Sequence, residues 1–139
     1  MNIVVDANIM IMGLMGSRAA LVILTSQQHH FYAPAKIVRE IRKYSPLICT
    51  KINISESEFD ENLNALLQFI IILEPQEYEQ YIDLARKALK ERDQNDIDYL
   101  ACALAVYADF IWTQDADFAE QKIIAVKNTA KFIEEQKNN

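Results

Sequence analysis

Residues 91–118 read ERDQNDIDYLACALAVYADFIWTQDADF, with Asp93, Asp96 and Asp98 ahead of an apolar run and Asp115 and Asp117 behind it. Two further acids stand out by position. Asp6 ends the apolar run NIVVD of residues 2–6, and Glu40 lies in AKIVREIRKY, where Ile37, Glu40, Ile41 and Tyr44 share one helical face. An acid on an apolar stripe needs a partner: a metal ion would serve, and so would a base such as Arg39 or Lys43 at the stripe edge. Carboxylates gathered unpaired in one cleft would repel and raise one another's pKa values, which Mg²⁺ or Mn²⁺, with their preference for oxygen ligands, would relieve. Two such ions about 3.5 to 4 Å apart can orient and deprotonate a water and stabilise the leaving oxygen of a phosphodiester. No His, Cys or Ser nucleophile is required. For any one of these acids the plain alternative is a helix cap or a solvated loop, with Asp93 or Asn95 capping the helix that follows.

The elements that must position these groups follow from the hydrophobic pattern. Residues 97–108 are apolar or small on nearly every face, with Leu100, Ala101, Leu104 and Ala108 at helical spacing, so a buried helix is expected with Asp96 in its first turn. Residues 110–114 are short and rich in β-branched and aromatic types, the pattern of a buried strand, which puts Asp115 at its carboxyl end. In open α/β sheets, ligands bind at that edge. Residues 2–6, 30–33, 69–73 and 123–126 read as the other strands, with Asp6 at the carboxyl end of the first. Residues 9–28 read as helical, broken by Gly13 and Gly16 and recapped at Ser17. Pro34 should open the helix that carries Glu40. Ser55 and Glu58 form a capping box, Pro75 leads into a helix from residue 76 to about 91, and Thr129 begins the last helix. The acids Glu56, Glu58, Asp60 and Glu61 read as a solvated first turn. Strands alternating with helices predict an α/β fold, a three-layer α/β/α sandwich around a parallel sheet of about five strands.

At 139 residues and 51% hydrophobic content, the chain is sized for one domain spanning residues 1–139. No signal peptide or membrane-length apolar run is present in the sequence, so a cytoplasmic protein is expected. Cys49 and Cys102 lack metal-ligand spacing and should be reduced, and His29 and His30 read as a solvated helix end. The net charge of -6 argues at first against nucleic acid, yet two divalent cations would cancel four of those charges and themselves attract phosphate. Arg18, Lys36, Arg39, Arg42 and Lys43 come closest in sequence to the acids and could rim the cleft, or simply form a solvated face.

Together these segments resemble the PIN-domain nucleases. The pattern comprises an Asp closing the first strand (VVDAN), a Glu on a following helix (VREI), an Asp opening the helix before the last core strand (NDIDYLACALA), and a Thr two residues before the last Asp (TQDADF). The resemblance covers essentially the whole chain. It implies that Asp6, Glu40, Asp96 and Asp115 are catalytic metal-binding acids, with Asp117 as a fifth ligand. Thr113 would orient a ligand or water, and Asn8 and Asp93 would support the site. Asp98, two residues beyond Asp96 on the helix, should point elsewhere. The implied activity is Mg²⁺- or Mn²⁺-dependent hydrolysis of single-stranded RNA. The implied partners are that RNA, a small antitoxin protein such as holds many short members inactive, and a second copy in a homodimer.

Two other readings compete. An aspartyl-phosphate receiver or phosphatase also uses strand-end acids and Mg²⁺, with a late lysine such as Lys127; against it, D-A-N at Asp6 supplies no second acid and FIIILEP ends the third strand without an Asp. The third reading is a non-catalytic nucleic-acid or protein binding module on the same fold.

Overall fold

The computed structural model describes residues 1–90 and 94–138. Strands β1 (Asn2–Val5), β2 (His30–Pro34), β3 (Ile70–Leu73), β4 (Phe110–Trp112) and β5 (Val126–Lys127) form one sheet in the order β3-β2-β1-β4-β5, with every pairing parallel. Between them run α1 (Ala7–Leu14), α2 (Arg18–Thr25), α3 (Lys36–Arg42), α4 (Ser45–Ile52), α5 (Glu56–Leu67), α6 (Pro75–Tyr78), α7 (Ile82–Ala88) and α8 (Gln94–Ala105), and α9 (Thr129–Lys137) closes the described chain. Successive residues of a strand point to opposite faces, and Ile3, Val4 and Val5 in β1 and Phe110, Ile111 and Trp112 in β4 are all fully buried. Both faces of the central strands are therefore covered by helices, as a parallel sheet requires. The α/β architecture with a five-stranded parallel sheet is the expected one.

The strand order reverses at β1: the chain moves outward through β2 and β3, then crosses to β4 and β5 on the other side. The carboxyl ends of β1 and β4 thus flank the topological switch point, where open α/β sheets place a crevice. Gly16 allows the tight turn that folds α2 back from α1, with φ at +98°, and Ser17 caps α2 by accepting from the Ala20 amide at 3.4 Å.

Several boundaries differ from the sequence expectation. Pro34 is the last residue of β2, paired with Leu73, and the Ala35 amide makes the final sheet bond to Leu73 O at 2.9 Å; a proline fits there because its own N–H is not needed. Tyr44 leaves the Ile37–Ile41 face and is 49% exposed, because α3 stops at Arg42 and α4 restarts at Ser45. The expected helix from residue 76 is interrupted by a 3₁₀ turn at Glu79–Tyr81. The fifth strand begins at Val126, not residue 123, because the Gln121 side-chain oxygen takes the amides of Ile123 and Ile124, each at 2.9 Å, away from the sheet. His30 opens β2, and the His29 ring packs edge-on against Phe31 and Phe132 instead of ending a helix in solvent. Cys49 and Cys102 are unpaired thiols. Among the described residues no single helix is long and apolar enough to cross a membrane.

Candidate active site

Asp6 follows β1 directly and is the N-cap of α1, in extended conformation. Its Oδ1 accepts from the Ala7 amide at 2.6 Å and its Oδ2 from the Thr113 hydroxyl at 2.6 Å. Thr113 is buried just past β4, and its Oγ1 in turn accepts from the Asp115 amide at 3.0 Å and the Asn8 side-chain amide at 3.5 Å. Asn8 Oδ1 accepts from the Gln114 amide at 3.5 Å. The two strand ends at the switch point are therefore laced together through Thr113 and Asn8. Because β4 ends at Trp112, Thr113 and Asp115 sit in the loop after the strand, and Asp115 turns toward Thr113 through its main chain and not by strand alternation.

Burial holds the Asp6 carboxyl above its ordinary value, and the negative charges of Glu40 and Asp115 push it further in the same direction; the bonds from Thr113 and Ala7 work against the shift. Glu40 arrives from the middle of α3, half-buried, and the Tyr99 hydroxyl on α8 donates to its Oε1 at 3.0 Å. Tyr99 is itself buried, and burial followed by the charges of Glu40 and Asp6 raises its phenol far above the ordinary value, so the hydroxyl stays protonated and donates. Asp96, half-buried in the first turn of α8, lies three residues before Tyr99 and so on the same side of the helix.

As the side chains stand, no three Asp, Glu, His or Cys groups among the described residues gather tightly enough to hold an ion. Hydroxyls from Thr113 and Tyr99 instead engage Asp6 and Glu40. The donor set still suits a hard divalent cation in kind. It is built of carboxylate oxygens, each Asp6 oxygen accepts one hydrogen bond and retains a second acceptor position, and like charges crowd a buried acid.

A family model described as PIN domain matches residues 4–136. The chain belongs to the PIN-domain family. That family comprises nucleases. No curated protein matches the chain. Among solved structures, it is similar to a chain in the crystal structure of VapBC2 from Rickettsia felis bound to a DNA fragment from their promoter, with a TM-score of 0.72 and 14% identity over 92% of this chain and 98% of the other. At that identity the likeness is one of fold.

Of the residues singled out in the sequence, Asp6, Asn8, Glu40, Thr113 and Asp115 are linked to one another at one edge of the PIN-domain sheet, while Asp96 lies in the first turn of α8, three residues before the tyrosine that bonds Glu40. Asp93 and the side chain of Asp117 lie outside the described residues. Asp98 turns to Lys36 at 3.1 Å. Lys127, the lysine a receiver would need, pairs with Glu135 and lies 4.4 Å from the centre of the Phe110 ring. Tyr99, the donor to Glu40, is not among the residues the sequence pattern singles out. The signal available was its place one turn after Asp96 on an apolar helix, since a buried tyrosine hydroxyl must find a polar partner.

Proposed function

We propose that this PIN domain is a metal-dependent endoribonuclease that hydrolyses phosphodiester bonds of single-stranded RNA in the cytoplasm. The observation that carries the reading is the convergence on Asp6, at the switch point, of Glu40 from α3 and Asp115 from the loop after β4, whose charges both reach a carboxyl that burial already disfavours as an anion. Asp6, Glu40, Asp96 and Asp115 would hold Mg²⁺ or Mn²⁺, with Asp117 as a further ligand and Asn8, Asp93 and Thr113 in support. An ion bound there supplies an activated water and neutralises charge developing on the scissile phosphate. The chain's own groups prepare the place. The Thr113 hydroxyl fixes one oxygen of Asp6, the Ala7 amide fixes the other, and Tyr99 holds one oxygen of Glu40. A groove of about 550 Å³ along α3, lined in part by Lys36, Arg39, Arg42, Glu74, Tyr78 and Asp98, presents Arg39, which is exposed, to a phosphate backbone.

The protein acts as the toxin of a toxin–antitoxin pair, restrained by a small antitoxin, and assembles as a homodimer. The likeness to a chain of VapBC2 supports the antitoxin partner. The decisive experiment incubates the purified chain with end-labelled single-stranded RNA and Mn²⁺ or Mg²⁺. Cleavage should be lost with chelator and reduced by two or more orders of magnitude in Asp96→Asn. Full-rate cleavage by Asp96→Asn would sink the assignment, and a chain that binds neither ion would favour a non-catalytic binding module.

A further inference from the structure

Helices α3 and α8 are joined at two points, and each lies beside one of the acids. At the first, Lys36 Nζ on the opening turn of α3 donates to the Asn95 carbonyl at 3.1 Å and to Asn95 Oδ1 at 3.2 Å, and it pairs with Asp98 at 3.1 Å. The same ammonium stands 5.7 Å from the centre of the Tyr99 ring. At the second, the Tyr99 hydroxyl donates to Glu40 at 3.0 Å. Lys36 and Glu40 are four residues apart on α3, while Asn95, Asp98 and Tyr99 are three and four apart on α8, so two matching stripes face each other. Asp96 falls between Asn95 and Asp98 in sequence, and Glu40 makes the second contact.

An ammonium has three donors and no acceptor. Lys36 has three oxygen partners for them, and its side chain is only 12% exposed. A lysine so satisfied has no donor left for a phosphate, although its place near the acids would suit that role. Its bonds instead fix the entry of α8, where Asp96 sits. We infer that Lys36 and Tyr99 are positioning residues that clamp α3 to the first turn of α8 and thereby set Glu40 against Asp96, and that Lys36 is not a substrate contact. This rests on the reading above that the two acids share a divalent ion.

The test is Lys36→Met in the full chain, read by amide hydrogen exchange, by calorimetric titration with Mn²⁺, and by steady-state cleavage of labelled single-stranded RNA at several salt concentrations. Exchange should quicken at least tenfold in the first turn of α8 while β1 stays protected. The Mn²⁺ Kd should rise by about tenfold or more, and kcat should fall with KM and its salt dependence unchanged. Wild-type exchange in that turn overturns the clamp. A raised KM with a shallower salt dependence and wild-type Mn²⁺ affinity would instead make Lys36 a phosphate contact and overturn the inference. Tyr99→Phe keeps the ring and removes only the donor to Glu40. It should melt within a few degrees of wild type and bind Mn²⁺ several-fold more weakly, and undiminished affinity there also refutes the proposal, even if Lys36→Met fails to fold. Failure of the ribonuclease reading shows separately, as a wild-type chain that binds no Mn²⁺ and cuts no RNA, while the exchange data still report on the clamp.

Discussion

At the start of α5, Glu56, Glu58 and Glu61 are exposed and Asp60 is half-buried, four acids crowded into half of one helix. At the carboxyl edge of β1 and β4 the acids are sparse in sequence and come from separate elements: Asp6 from the end of β1, Glu40 from α3, Asp115 from the loop after β4. The two groups solve their repulsion differently. On α5, Glu58 closes a capping box with Ser55, both bonds at 3.1 Å, Asp60 pairs with Arg42 at 2.7 Å, and water screens the rest. At the sheet edge, Asp6 and Glu40 are both half-buried, and hydroxyls from Thr113 and Tyr99 hold the carboxylates in place. Acid density along a chain reports solvation, whereas acids converging from distant elements report a demand for cationic charge.

The largest effect that sharpens this contrast is expected at Asp6. Asp6→Asn should lower RNA cleavage by at least two orders of magnitude while the fold persists. Burial raises the Asp6 carboxyl above its ordinary 3.8, so the folded chain binds that proton more tightly than the unfolded chain does. The group's contribution to stability is therefore most favourable below about pH 3.8 and is lost as pH rises through the raised folded value. Asp6→Asn should melt at or above the wild-type temperature at pH 7, and the difference should shrink as the medium approaches pH 3. A clearly lower melting temperature at pH 7 would mean that the bonds to Ala7 and Thr113 outweigh the desolvation.

A smaller change is expected at Thr113. Thr113→Val keeps the buried shape but removes the hydroxyl that donates to Asp6 and accepts from the Asp115 amide. Activity should fall by about tenfold, the range typical of groups that orient metal ligands. The Thr113 bond lowers the Asp6 pKa, so its loss raises that pKa and should move the acid limb of the pH–rate profile upward. An unshifted limb would place the titration elsewhere.

Much of this was legible in the sequence. Buried parallel strands leave uninterrupted apolar runs such as NIVV and FIW, and these located β1 and β4, and with them Asp6 and Thr113, to within two residues. The break between α1 and α2 showed through Gly16 and Ser17, because both act within one turn. What escaped depends on partners far away in the chain. Whether Lys36 faces solvent or Asp98 is decided by how α3 meets α8, which no local pattern encodes. The same holds for Tyr99, whose donor role exists only because Glu40 arrives opposite it. The start of β5 lies later than its apolar run suggests because one side chain, Gln121, competes with the sheet for two amides, and apolar runs are silent about such competition. Pro34 has the preference of proline for helix starts, but a strand end also needs no donor there.

The smallest effects should come from α5, and they are the ones that can break the comparison. Glu61 is exposed and sits beyond the capping box, so Glu61→Gln removes a charge that water already solvates. Its cleavage rate and Mn²⁺ affinity should stay within twofold of wild type. Ser55→Ala removes the side-chain acceptor of the cap and should cost about 1 kcal/mol of stability, read as a lowered melting temperature, again with the rate unchanged. Both outcomes follow if the sheet-edge acids act through short-range geometry. If Glu61→Gln altered the rate severalfold, the acids would be acting through a long-range field that attracts cations to the whole surface. That effect would weaken steeply between about 0.01 and 0.15 M salt, as the Debye length falls from about 30 to 8 Å, whereas the loss in Asp6→Asn would persist at the higher salt. Measuring both variants at the two salt concentrations separates a solvated charge from a positioned one.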